Sequence, residues 1–237
     1  MPIDTMLHAL DREIILVKQN APLAAAQTVL LAASKGQPIV VIEEAIQAGL
    51  RIFGENRVQE AEDKWPEIKK HHPDLQLHLI GPLQTNKVKA ALALFDVIQT
   101  LDRPKLAEAI AGMRHEALGM RENPHASSLV TRHFYIQVNT GEEPQKAGIV
   151  PMEAGGFIYY CREDLKLPVV GLMCIPPADQ PPAPHFACLR KIAQDHGLTE
   201  LSMGMSEDYQ AAVRMGSTCI RLGRALFGER AEQAIQR

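Results

Sequence analysis

Lys35 has the setting in this chain that most invites chemistry. It closes an apolar run, "LLAASKGQP" at residues 30–38. Residues 28–33 read as a buried strand, and Gly36 and Pro38 punctuate the turn that follows. An amine at the carboxyl end of a buried strand is half desolvated, which lowers its pKa and makes it a better nucleophile. The same stretch also suits a lysine that snorkels out to water. A second group of candidates lies near the end of the chain, in "SMGMS" at 202–206 and "RLGRALFG" at 221–228. Small residues there let backbone N–H groups approach a ligand. A helix starting directly after Gly223 directs its free N–H groups and dipole at an anion. Ser202 and Ser206 add hydroxyl donors. Ser206, followed by Glu207 and Asp208, also suits the N-cap of a helix at "EDYQAAVRM", which leaves Ser202 the stronger anion candidate. Arg221 lies two residues before Gly223, where it reads either as a group aimed at a ligand or as one half of an internal ion pair with Glu55 or Asp102.

These residues need elements to bring them together, and the pattern supplies them. A helix over residues 4–19 precedes eight apolar strand-like runs, mostly separated by helices. The runs fall at 28–33, 50–56, 75–81, 96–102, 133–140, 168–175, 198–204 and 217–223. Buried strands alternating with helices predict a parallel sheet, and eight such units close into a (β/α)₈ TIM-type barrel. An open doubly wound sheet is disfavoured, because "ASKGQP" after the first strand is not a dinucleotide fingerprint. Residues 120–128 read as a mobile surface loop. "PPADQPPAP" at 176–184 reads as a rigid loop, and the last helix is expected to run from Arg224 to the chain end. The fold class is therefore α/β, one barrel domain over 1–237 with an extra N-terminal helix.

In a barrel, the strand carboxyl ends share one mouth. Ser34, Lys35, Glu55, Asn56, Gly81, Asp102, Asn139, Met173, Ser202, Ser206, Arg221 and Gly223 should gather there. The first and eighth strands of a closed barrel are neighbours. A ligand carrying an aldehyde and a phosphate would bridge Lys35 to the anion site, and pyridoxal 5′-phosphate has both groups. An arginine such as Arg221 facing the pyridine nitrogen would keep it unprotonated and weaken the cofactor as an electron sink.

Composition narrows the class further. The 237 residues are 46% hydrophobic and 22% charged, with a formal net charge of -3 and no basic block, which argues against sequence-independent nucleic-acid binding. The four cysteines form no CxxC pair and no zinc-like spacing, so no metal is expected and a reducing compartment is. The N-terminus has no signal-like apolar core, and no apolar run approaches the roughly 18 residues of a membrane span. A cytoplasmic protein is expected.

The chain resembles the pyridoxal phosphate homeostasis protein family, the YggS/PROSC-type barrels akin to the alanine racemase N-terminal domain. The resemblance rests on "ASK", "FGENRVQE", "HLIGPLQTNKVK", "IQVNTGEE", "GLMCIP", "LSMGMSEDYQAAV" and "GSTCIRLGRALFG", in order from residue 32 to 228. It implies that Lys35 carries pyridoxal 5′-phosphate as a Schiff base. It implies that Ser202 and the backbone of Gly223 and Arg224 hold the phosphate, and that Arg221 faces the pyridine nitrogen. Asn56 would lie beside the ring, and Met203 and Met205 near the phosphate loop, with Ser206 a further candidate. The implied function is to hold the cofactor, keep its free level low and deliver it to apo-enzymes in support of amino- and keto-acid balance, without robust turnover and as a monomer. No catalytic residue is assigned.

Alanine racemase uses a tyrosine from a second domain as a base, and the residues after Gly228 are too few to build one, which disfavours the alternative of a racemase-like enzyme. A sugar-phosphate barrel would need paired carboxylates, for which Glu55 and Asp102 are the candidates. The chain departs from the family pattern at Gly36-Gln37, at Pro82 and at Arg224, where a hydroxyl residue is usual and where the guanidinium would have to compensate by charge. Lys87 reads as a solvated helix-start lysine rather than a second attachment point.

Overall fold

A computed structural model describes residues 2–119 and 132–228. Its eight strands are Val29–Ala33 (β1), Ile52–Glu55 (β2), Gln76–Leu79 (β3), Val97–Leu101 (β4), His133–Gln137 (β5), Val169–Met173 (β6), Glu200–Ser202 (β7) and Cys219–Leu222 (β8). They pair in chain order, all parallel, and β1 pairs with β8 to close the barrel. The described helices are Ile3–Gln19 (α1), Ile39–Gln47 (α2), Val58–His71 (α3), Val88–Leu94 (α4), Pro104–Gly119 (α5), Pro151–Tyr159 (α6), Pro182–Asp195 (α7), Tyr209–Arg214 (α8) and Arg224–Phe227 (α9).

Strand side chains alternate between faces, and parallel partners share a face, so the register sorts the barrel. On the outer face Phe53 meets Trp65 of α3 with ring centroids 5.2 Å apart. These two belong to a large apolar layer between barrel and helices that also holds Leu77, Ile98, Phe134 and Phe186. The interior has its own small cluster of Val97, Tyr135 and Met173. The interior also holds a polar group. His78, Gln99, Ser202 and Arg221 are all buried and hydrogen-bonded to one another.

Several expected boundaries shift for physical reasons. The strands are shorter than the apolar runs, because residues at the run ends leave the ladder to form the loops of the mouth. The proline segment turns helical at Pro182, where the first turn of α7 needs no N–H from a proline. After α6 the chain widens into a π turn over Tyr160–Asp164, with Leu165 N–H donating to the Tyr160 carbonyl at 3.0 Å. The expected surface loop at 120–128 and the terminal helix beyond Gly228 lie outside the described residues. Among the described residues no helix is long and apolar enough to cross a membrane.

Candidate functional site

β1 and β8 set the site. Leu31 lies opposite Arg221 in the ladder, so Leu31 and Ala33 share the inward face on which Arg221 sits. Ser34, after Ala33, turns outward and donates its hydroxyl to Glu55 at 2.9 Å. Lys35 follows, half-buried, in the turn after β1.

Arg221 is 4% exposed. Its guanidinium donates to Ser202 Oγ at 2.7 Å and to the Cys174 carbonyl at 2.9 Å. Burial pulls its pKa below the ordinary arginine value, yet guanidinium stays charged in proteins. Neither carboxylate expected to pair with it does so. Glu55 faces outward to Lys64 at 2.8 Å, and Asp102 binds Arg103 at 2.5 Å. Asp102's carboxyl is pushed up by burial in spite of that arginine. Among the described residues, Arg221 enters no ion pair closer than 4.0 Å.

From Arg221 a directed chain of hydrogen bonds crosses the interior. The Ser202 hydroxyl donates to Gln99 Oε1 at 2.6 Å, and the other end of that amide meets His78 Nδ1 at 2.9 Å. Because Gln99 Nε2 donates, this assignment gives His78 the tautomer protonated at Nε2, which is buried and has no partner. Desolvation pushes the His78 pKa down to about 4. Ser202 is therefore committed inside the barrel. Its expected place at the anion site thus comes with two interior hydrogen bonds, to Gln99 and from Arg221.

Ser206 lies nearer the chain's last helix. It does not cap α8, which begins at Tyr209 after Asp208, and the Asp208 carboxylate binds Met205 N–H at 2.6 Å. The Ser206 hydroxyl reaches across to the first turn of α9 and accepts Ala225 N–H at 3.1 Å. Gly204 makes this crossing possible. Its φ is +97°, and a Cβ there would stand 2.5 Å from Ala212 Cβ. Gly223 is the N-cap of α9, as expected for the helix following β8. Met203 sinks into the apolar layer rather than the mouth, while Met205 is partly exposed. Arg224 is 67% exposed and pairs with Glu207 at 2.5 Å, so its charge is directed outward rather than substituting for a hydroxyl.

Asn56 lies just past the end of β2, half-buried. Gly81 fixes its height, because a Cβ on Gly81 would lie 2.2 Å from the Asn56 carbonyl oxygen. Asn139 turns into its own loop and donates to the Glu143 carbonyl at 2.9 Å. Lys87 lies on the surface near Gln59. Tyr135, inside the barrel, has its phenol pushed well above the ordinary range by burial. Sequence reasoning missed His78 and Gln99. Both sit within strands, and the available signal was the alternation of Gln76 and His78 with leucines in β3 and the amide of Gln99 inside an otherwise apolar run.

A closed parallel barrel with a half-buried lysine after its first strand and a buried arginine on its last defines the class of alanine racemase N-terminal-type barrels. Residues 6–231 match the family described as "Alanine racemase, N-terminal domain". A pyridoxal phosphate homeostasis protein of Vibrio cholerae is 37% identical over 238 residues, covering 96% of each chain. PipY of Synechococcus elongatus PCC7942, solved with PLP bound, is 34% identical with a TM-score of 0.76, and the match covers 95% of this chain and all of PipY. A protein of Bifidobacterium adolescentis superposes with a TM-score of 0.82 at 29% identity, covering 95% of this chain and 94% of the other. The chain belongs to the pyridoxal phosphate homeostasis protein family, within the alanine racemase N-terminal domain group.

Proposed function

We propose that this protein binds pyridoxal 5′-phosphate and maintains its intracellular supply, holding the cofactor and delivering it to apo-enzymes, with no robust turnover of its own. The observation that carries the reading is the buried Arg221 guanidinium, fixed by Ser202 and the Cys174 carbonyl, with no carboxylate within 4.0 Å of it among the described residues. A buried cation retained without an acid calls for an acceptor from outside the chain. The pyridine nitrogen is one, and PipY, a relative of nearly equal length, was solved with PLP bound.

The donor set fits the rest of that molecule. When bound, the cofactor supplies an aldehyde that condenses reversibly with a primary amine. Lys35 is the amine placed to meet it. Ser206 and the backbone at Gly223 and Arg224 would hold the phosphate where the loops after β7 and β8 meet, the recurrent phosphate position in barrels. Asn56 would lie beside the ring. Arg221 keeps the ring nitrogen unprotonated, which restrains carbanion chemistry and supports a carrier over a racemase. The single barrel, as a cytoplasmic monomer, is the unit proposed to do this, and its described cysteines are all free thiols.

The test is transfer. Loaded protein is mixed with a pyridoxal-phosphate-dependent apo-enzyme, and activity is followed. The proposal predicts reactivation, together with no racemisation when D- or L-alanine is added to the loaded protein alone. Rapid racemisation without reactivation would establish the enzyme reading instead.

A further inference from the structure

A lysine in a turn keeps a useful position only if both peptide groups beside it are held. Here they are, from outside the barrel. Gly36 N–H donates to Glu60 Oε1 at 2.6 Å. On the other side of Lys35, the Ser34 hydroxyl donates to Glu55 Oε1 at 2.9 Å, and Lys64 Nζ lies 3.4 Å from the Ser34 carbonyl. Lys64 joins the two sides, reaching Glu55 Oε1 at 2.8 Å and Glu60 Oε1 at 2.9 Å. Trp65 braces the same Glu55 oxygen with its Nε1–H at 3.1 Å.

Glu55 is fully buried, and its second oxygen has no hydrogen-bond partner. A buried carboxylate satisfied on one side only is costly and calls for a role other than stability. Glu60, Lys64 and Trp65 all come from α3, on the outside of the barrel.

We propose that Glu60 and Lys64 of α3, braced by Glu55, are positioning residues that set the Lys35 amine for the cofactor by clamping the residues on both sides of it. The inference rests on the reading of Lys35 as the cofactor-bearing residue. Its element is testable without cofactor, because the clamp acts on the Gly36 amide.

The variants are Glu60→Ala, Glu60→Gln and Lys64→Met, each in the full chain. Two readouts are taken: release of bound pyridoxal 5′-phosphate to an excess of apo-enzyme, followed by the visible band, and hydrogen exchange of the Gly36 amide in the cofactor-free protein. A lost bond to a charged acceptor predicts that Glu60→Ala speeds both by about tenfold. Lys64→Met speeds release in the same direction. Glu60→Gln keeps an acceptor for Gly36 N–H and restores both readouts to within about threefold of wild type. The thermal midpoint of Glu60→Ala falls by no more than about 4 °C, because Glu60 is partly exposed.

Wild-type release and wild-type exchange in Glu60→Ala would overturn the clamp. So would an effect that glutamine fails to rescue and that tracks a collapse of the thermal midpoint. If the wild type takes up no cofactor, the functional reading fails, and the Gly36 exchange arm still decides whether the clamp exists.

Discussion

Replacing Lys64 by methionine strips the buried Glu55 carboxylate of its cation. The amine lies 2.8 Å from Glu55 Oε1, and the side chains are 12% and 0% exposed. Removing one partner of a buried pair costs about 3–5 kcal/mol. The low end applies, since Lys64 keeps some water and Glu55 retains hydrogen bonds from Ser34 and Trp65. With about 2.1 cal/mol/K of unfolding entropy per residue, 237 residues give roughly 0.5 kcal/mol/K, so a loss of about 3 kcal/mol lowers the midpoint by about 6 °C. Adding Glu55→Gln removes the stranded charge while leaving an oxygen for Ser34 and Trp65 to meet. The double variant should therefore be more stable than Lys64→Met alone, with a coupling of about 2 kcal/mol in the cycle. The assay is thermal and urea unfolding of the cofactor-free protein at pH 7. A Lys64→Met midpoint within about 1 °C of wild type, or a double variant that loses the sum of the two singles, would refute the reasoning.

Three other perturbations bear on the interior and the mouth. Ser206→Ala should weaken pyridoxal 5′-phosphate about fivefold to tenfold while leaving phosphate-free pyridoxal unchanged by titration calorimetry, whereas Ser202→Ala should destabilise the fold by about 1–3 kcal/mol through its stranded partners Arg221 and Gln99. His78 takes up a proton in the unfolded chain near 6.5 but in the folded chain only near 4, so the unfolded state binds the proton first as pH falls. Stability should drop by about 3 kcal/mol between those values, and His78→Gln should flatten that part of a urea-midpoint profile against pH. Gly81→Ala would drive a methyl into the Asn56 carbonyl, so cofactor affinity should fall with the fold intact by circular dichroism.

The barrel was legible because its signals are local. Apolar runs of strand length separated by amphipathic helices specify a parallel sheet, and eight of them specify closure. The pairing of β1 with β8, which sets Leu31 opposite Arg221, followed from that count alone. Facing was harder. Glu55 and Asn56 are adjacent, and a period of two sends one outward to α3 and the other inward. Nothing local decides which, until Phe53 is seen against Trp65. The placement of Ser206 was hard for the same kind of reason. The cap reading of Ser206 used its sequence neighbours, while its hydroxyl partner, Ala225, lies 19 residues away across the loops after β7 and β8. The Lys64–Glu55–Glu60 network joins β1, β2 and α3 through tertiary contact, which no sequence spacing encodes.

The most direct test is the visible spectrum of the purified protein titrated with pyridoxal 5′-phosphate, with Lys35→Ala alongside. The account predicts a visible band that saturates at one cofactor per chain in the wild type and is absent in Lys35→Ala, although the variant keeps the wild-type far-ultraviolet dichroism. A wild type that stays colourless with excess cofactor, or a Lys35→Ala protein that develops the same band, would contradict it.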